Sequence, residues 1–152
     1  MQRIAGIEAL HSLIGQELGT SPWLNIDQAR IQAFADATDD HQWIHLDQAR
    51  AKQQSPFGTT IAHGFLTLSM LPYLNQQIFA LDNISATINY GMNRVRFTAP
   101  VPSGANIRTR VTLTAVEPQG DQGVRATFET HIEIEGQDRP ACIAEHLAVF
   151  LK

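Results

Sequence analysis

The order of the predicted elements indicates an α+β protein in which a long antiparallel β-sheet covers a central helix. Helical patterns dominate up to Leu81, and extended segments rich in β-branched residues follow. Helices and strands that are segregated along the chain are typical of α+β folds. An apolar segment that begins at Gly64 supplies a helix on which one face of such a sheet could pack.

The first elements are short. Residues 10–14 fit a first short helix through their spaced leucines and isoleucine, and residues 21–26 fit an extended piece. Asp27 is the expected N-cap of a longer helix that runs to about Ala37, because an aspartate side chain accepts hydrogen bonds from first-turn amides.

A second capping aspartate, Asp47, begins another helical turn that we expect to run through Lys52. The sequence QQSPFGTT at residues 53–60 follows and contains a proline and a glycine among polar residues. It is therefore predicted to be a loop, and such a loop could act as a lid over a pocket.

The segment from Gly64 to about Phe79 has few strongly polar positions before Asn75, as expected for a helix surrounded by protein. Pro72 lies inside it. A proline removes one helical hydrogen bond and clashes with the preceding turn, so we predict a kink or a break near this residue.

The remaining chain is predicted to be an antiparallel meander. Apolar and polar residues alternate in its long segments, which gives each strand one apolar face, and compact turns join the last three segments. The candidate strands are residues 85–91, 94–97, 105–117, 123–135 and 141–151.

Composition limits the classes of protein to consider. The 152 residues, 43% of them hydrophobic, suit one domain over residues 1–152 with a full core. A formal net charge of −4 opposes nucleic-acid binding, which requires a basic face. We find no signal-peptide pattern and no run long enough to span a membrane. We expect no membrane association.

Cys142 is the only cysteine, so no disulfide can form within the chain. This favours a cytoplasmic location. Cys142 lies in an apolar strand pattern, and we interpret it as a small core residue rather than a nucleophile.

The most informative stretch for function is ADATDDHQWIH, residues 35–45. A bent loop could bring Asp40 and His45 together, and this pairing suits general acid–base catalysis on water. Gly64 begins the apolar helix, where the first amides are unpaired donors that suit an anion or oxyanion.

Each of these residues also has an ordinary interpretation. Asp39 and Asp40 could cap a turn, His41 could face solvent, and His63 could fix the entry to the next helix. It is the combination within about thirty residues that favours a shared site.

The stretch also resembles the hydratase motif of the MaoC-like dehydratases, in a form similar to the nodulation protein N (NodN-like) subgroup. That motif reads small residue, Gly, Asp, any residue, Asn, Pro, aliphatic residue, His. This sequence matches it at Thr38, Asp40, Ile44 and His45, and departs from it at Asp39 and at Gln42-Trp43. IAHGFLTLSML resembles the start of the family's central helix, and NYGMNRVRFTAPVPSGANIR its strand-turn-strand.

The resemblance implies a hot-dog fold, in which the sheet wraps the central helix and two subunits pair their sheets into one. It also implies reversible hydration of a trans-2-enoyl thioester of coenzyme A to an (R)-3-hydroxyacyl thioester. Asp40 and His45 would hold the water and exchange its protons, and the Gly64 amide would stabilise the thioester oxygen. Neither the residues nor the resemblance decides which of the two takes the first proton.

The reaction implied by the resemblance needs no cofactor. No metal is expected either, since the sequence has no HxxxH or HExxH pattern. Arg94 and Arg96 could contact the coenzyme A phosphates, or could simply form a charged outer face of a strand. Two alternatives stay open: a thioesterase on the same scaffold, and a non-catalytic module that binds acyl thioesters.

Overall fold

The computed structural model describes residues 1–152 except for the side chain of Gln122. The strands of this described part are β1 (Gln2–Ile4), β2 (Glu17–Thr20), β3 (Leu24–Ile26), β4 (Phe79–Leu81), β5 (Ala86–Phe97), β6 (Ala105–Pro118), β7 (Gly123–Ile134) and β8 (Cys142–Leu151). The helices are α1 (Gln28–Thr38), α2 (Trp43–Leu46), α3 (Gln48–Gln54), α4 (Gly64–Ser69) and α5 (Leu71–Asn75), with 3₁₀ helices at Ile7–Leu13 and Gly120–Gln122.

The long strands form one antiparallel sheet in the order β2-β6-β7-β8-β5, and β3 also pairs with β6. Strands β6, β7 and β8 are neighbours in sequence and in space, which confirms the predicted meander. Strand β5 pairs with β8 and forms an edge of the sheet. The short strands β1 and β4 pair separately and in parallel.

The central helix, α4 followed by α5, packs its buried side against the sheet. Leu66, Leu71 and Leu74 lie in one core cluster with sheet residues such as Ile132 and Ala144. This is the predicted hot-dog architecture of a long antiparallel sheet packed around a helix.

The prediction that protein surrounds this helix on all sides is wrong for the single chain. Phe65 and Tyr73, on α4 and α5, are 69% and 51% exposed. The sheet covers one side of the helix, and the opposite side carries exposed aromatic rings.

The predicted break near Pro72 is present, although the helix ends earlier than expected. The boundary lies at Met70, and Pro72 occupies the first turn of α5, where its missing amide costs no helical hydrogen bond. Asn75 is the last residue of α5, and Phe79, predicted to be helical, begins β4 instead. Pairing with β1, which the sequence did not reveal, extends this segment.

Strand β5 is continuous, whereas the sequence predicted two strands separated at residues 92–93. Its pairing with β8 shifts register twice, between Asn89 and Gly91 and again between Met92 and Arg94. Each irregularity resets the alternation of faces, so the two halves of the strand do not share one simple pattern.

The predicted caps are confirmed. The side chain of Asp27 accepts a hydrogen bond from the Arg30 amide at 2.8 Å, and that of Asp47 accepts one from the Arg50 amide at 2.9 Å. Cys142 is fully buried, and burial raises the pKa of its thiol to about 11, which agrees with a core residue. Over the described residues, no helix is long and apolar enough to cross a membrane.

Candidate active site

His45 lies on the short helix α2 and is buried to 8% exposure. Its Nδ1 atom is 2.7 Å from the carbonyl oxygen of Ile61. A carbonyl only accepts hydrogen bonds, so Nδ1 carries the proton of the neutral ring and Nε2 is left as an acceptor. Burial lowers the pKa of His45, and the neighbouring His63 lowers it further, against the raising effects of the Ile61 carbonyl and Asp40. The ring is therefore neutral near pH 7.

His63 immediately precedes α4, and its ring stacks on that of His45 with 3.8 Å between centroids. Its Nε2 donates to the backbone carbonyl of Asp40 at 3.0 Å, which ties the loop to the start of the central helix. Its Nδ1 is buried and has no hydrogen-bond partner among the described residues. The sequence predicts only a structural role for His63, and its position directly before Gly64 is the one signal that points to the site.

Asp40 lies in the loop that follows α1. Asp39, in the left-handed conformation with φ of 59°, ends that helix and turns the chain toward α2. The Asp40 side chain is 54% exposed, and its Oδ2 is 4.0 Å from His63 Nε2. A carboxylate oxygen of Asp40 and ring nitrogens of His45 and His63 lie within 4.8 Å of one another.

Gly64 and His45 line one cavity of about 310 Å³. The Gly64 amide is at the first position of α4 and donates no hydrogen bond to any described residue. A side chain there would meet the Phe97 ring, since an added Cβ would lie 3.1 Å from ring atoms. Glycine therefore lets the backbone approach the ring that forms part of the cavity wall.

The structure thus links three of the sequence-predicted residues through His45, which lines one cavity with Gly64 and whose ring lies close to the Asp40 carboxylate. Asp40 itself does not line this cavity. The structure does not bring the other two there. Arg94 and Arg96 are exposed on the edge strand β5 and do not line this cavity. Arg96 donates to the neighbouring Val95 carbonyl at 2.7 Å.

The nitrogen and oxygen atoms of Asp40, His45 and His63 are close enough to hold a metal ion. The two imidazole rings are stacked at an interplanar angle of 26°, however, and a ring nitrogen binds a metal in the plane of its ring. Two nearly parallel rings do not aim their free nitrogens at one point. The expectation that the site works without a metal stays a prediction.

Comparison with known proteins agrees with this fold. The family model for the MaoC-like domain matches residues 9–134, and the chain belongs to this family. The chain is 45% identical to 3-hydroxyacyl-thioester dehydratase Z of Mycobacterium tuberculosis over 151 residues, with 99% of each protein covered.

Two further relatives extend the comparison. The chain is 45% identical to nodulation protein N of Rhizobium leguminosarum bv. viciae over 139 residues, covering 91% of this chain and 86% of that protein. The solved (R)-hydratase from A. caviae superposes with a TM-score of 0.71 at 27% identity, covering 89% of this chain and 94% of that one. The expected hot-dog fold and the expectation of a hydro-lyase enzyme are confirmed by these relatives.

Proposed function

We propose that the protein adds water reversibly to a trans-2-enoyl thioester and forms an (R)-3-hydroxyacyl thioester. One observation carries the proposal: His45, a neutral ring with an unprotonated Nε2, lines the same cavity as Gly64, whose amide has no hydrogen-bond partner among the described residues. A named dehydratase of 3-hydroxyacyl thioesters among the relatives supports this substrate class.

The chemistry follows from the protonation states. His45 Nε2 and the Asp40 carboxylate are both acceptors, so together they can hold the two hydrogens of one water and leave its lone pair directed at the substrate. The water oxygen bonds to C3 as the C2–C3 π electrons move to the thioester carbonyl, and one water proton passes to Asp40 or His45. The Asp40–His45 pair then returns a proton to C2 as the carbonyl re-forms. The geometry suits either residue as the first base.

Negative charge develops on the thioester oxygen as the enolate forms. The Gly64 amide supplies a donor for this oxygen, in a cavity partly shielded from water. The reaction needs no oxidant, reductant or organic cofactor, because water is the only other reactant.

The test is hydration of crotonyl-CoA, followed as loss of the absorbance of its conjugated thioester. Asp40→Asn and His45→Ala should each lower the rate by about 10² to 10⁴. His41→Ala is the matched control, because His41 is exposed and pairs with Asp36 at 3.0 Å. Equal rates in wild type, Asp40→Asn and His45→Ala would remove both residues from the mechanism.

The same assay separates the alternatives. A thioesterase would release free coenzyme A, which a thiol reagent detects, and no 3-hydroxyacyl product would form. A non-catalytic module would bind crotonyl-CoA in calorimetry and leave it unchanged.

The phosphates of coenzyme A would extend from the cavity toward the exposed Arg94 and Arg96. Guanidinium groups form charge-assisted, bidentate hydrogen bonds with phosphate. Replacing both arginines with Gln should raise the KM for crotonyl-CoA and leave the KM for crotonyl-pantetheine, which lacks the nucleotide phosphates, unchanged. An equal rise for both substrates would contradict the assignment.

A homodimer formed through β5 completes the proposal. Within the described part of the chain, one edge of β5 has no strand partner, and large apolar residues on β5 and the central helix are exposed. They are Phe65, Tyr73, Ile88, Tyr90, Met92 and Phe97. An edge strand beside an apolar patch favours pairing with a second copy.

Sedimentation velocity tests the dimer. Ile88→Lys should yield a monomer, because it places a charge in the proposed interface. Ile14→Lys is the matched control, since Ile14 is 42% exposed and Ile88 47%. A cytoplasmic location accords with a coenzyme A substrate and with the single, buried cysteine.

A further inference from the structure

A groove lies along the central helix at Leu71 and Pro72. Two adjoining cavities, of about 350 and 300 Å³, lie between this helix and strands β5 and β8. Leu71 and Pro72 line both. The cavity at Gly64 lies between the same helix and the opposite end of β5, at Phe97, and shares no lining residue with these two. An acyl chain that begins at Gly64 and follows the helix would enter them.

The far end of this groove contains two buried polar side chains that the proposed chemistry does not use. Asn75 and His146 are each 6% exposed, and both line the last cavity. Asn75 Oδ1 is fully covered and has no hydrogen-bond partner among the described residues. A buried polar atom without a partner carries a desolvation penalty of about 1 to 3 kcal/mol.

His146 is similarly under-bonded. Over the described residues its ring makes one hydrogen bond, between Nδ1 and Thr130 Oγ1 at 3.3 Å. Thr130 is fully buried and has no other acceptor for its hydroxyl proton in that part of the chain. The arrangement that satisfies both groups has Thr130 donating to Nδ1, which places the ring proton on Nε2 and leaves it as a free donor.

The Asn75 and His146 side chains that line the groove are polar but uncharged. Burial lowers the pKa of His146 to about 4, so its ring is neutral near pH 7. The described residues that line the two cavities include no lysine or arginine. A carboxylate would therefore lose its hydration without gaining a cation, whereas a hydroxyl or a carbonyl oxygen would gain hydrogen bonds.

We propose that the Asn75–His146 end of the groove binds an uncharged oxygen, a hydroxyl or a keto group, near the far end of the substrate's acyl chain. This rests on the proposed function, which places the thioester at Gly64. Gly64 and Asn75 are eleven residues apart along α4 and α5. At 1.5 Å per residue, this separation is about 16 Å. An extended chain advances about 3.5 Å over three bonds, so roughly fourteen bonds span this distance.

The experiment measures binding of saturated thioesters, which cannot be hydrated. Titration calorimetry would compare dodecanoyl-CoA, 12-hydroxydodecanoyl-CoA and the dodecanedioyl mono-thioester of coenzyme A. We expect the hydroxylated chain to bind about tenfold more tightly than dodecanoyl-CoA, as one or two net hydrogen bonds provide. The diacid chain should bind more weakly than either.

Two variants test the residues. Asn75→Leu and His146→Phe should each remove the preference for the hydroxylated chain. Gln137→Leu, the same type of change at an exposed turn residue, should retain it. Equal or weaker binding of the hydroxylated chain by wild type, a preference for the diacid, or a preference that survives in both variants would overturn the proposal.

These outcomes are independent of turnover. If crotonyl-CoA is hydrated but the three saturated chains bind alike, the polar subsite is wrong and the proposed function stands. If the preference is present and no enoyl thioester is hydrated, the proposed function is wrong and the groove is a binding site.

Discussion

Three buried histidines lie at two places along the central helix, and the fold holds them in different ways. His45 and His63 each donate an N–H to a backbone carbonyl, whereas His146 is bonded to the hydroxyl of Thr130. A carbonyl accepts only, so the backbone fixes the tautomers of the first pair. A hydroxyl can donate or accept, so the tautomer of His146 depends on the remaining bonds of one side chain. The main chain therefore fixes the tautomers of His45 and His63. The tautomer of His146 depends instead on side chains, which a mutation can replace.

Acidification should show the largest difference between the two places. The pKa of His146 is about 4 in the folded protein, against about 6.5 when unfolded, so the unfolded chain takes up the proton first. The stability associated with His146 is present above pH 6.5 and is lost as the pH falls toward 4. It amounts to about 3 kcal/mol.

Urea unfolding at pH 7 and pH 4.5 measures this contribution. His146→Phe, which retains the stacking on Phe128, should lose less stability on acidification than wild type. Parallel losses in both proteins would show that His146 is not the group responsible.

At the candidate active site, we predict that His63 is a positioning residue. His63→Gln should lower kcat by about 10- to 100-fold, because the Asp40 loop loses its tie to the central helix. His63 also lowers the pKa of His45, so its removal should move the acid limb of the pH–rate profile to higher pH. A lower melting temperature with an unmoved acid limb would indicate a purely structural role.

A smaller effect is expected where the main chain itself forms the site. Gly64→Ala keeps the amide but places a Cβ 3.1 Å from the Phe97 ring, so the helix start or the ring must shift. We expect kcat/KM for crotonyl-CoA to fall about tenfold. Gly64→Ala combined with Phe97→Leu should recover part of the loss, and a double variant no better than the single one would contradict the steric explanation.

The smallest expected effect is that of a chelator. The stacked rings of His45 and His63 do not direct two nitrogens to one point, so dialysis against EDTA should leave the hydration rate unchanged. Loss of activity that added zinc restores would show that the group of Asp40, His45 and His63 holds a metal.

The sequence predicted the fold best where local chemistry decides it. Asp27 and Asp47 cap helices because their side chains reach amides three residues away. The long strands follow their own alternation of apolar and polar residues. The sequence predicts a helix at Phe79 because its partner strand β1 is far away in sequence. It predicts two strands in place of β5 because two irregularities interrupt the alternation of apolar and polar residues there.

The same distinction applies to the site. Spacing and resemblance predict Asp40, His45 and Gly64, since these residues belong to one short stretch and one helix start. The stacking of His63 on His45 and the under-bonded Asn75 are tertiary features, and no local pattern predicts them. The contacts of Arg94 and Arg96 also depend on what packs against the free edge of β5, which no local pattern predicts.

The fully buried Cys142 makes the protein convenient for labelling. Its thiol is covered by the core, and its raised pKa leaves almost no thiolate at neutral pH, so maleimides should not react with the native fold. A cysteine introduced at Tyr73 would then carry the only probe, with no native thiol to remove. Paired spin labels at that position would report the distance between two copies directly.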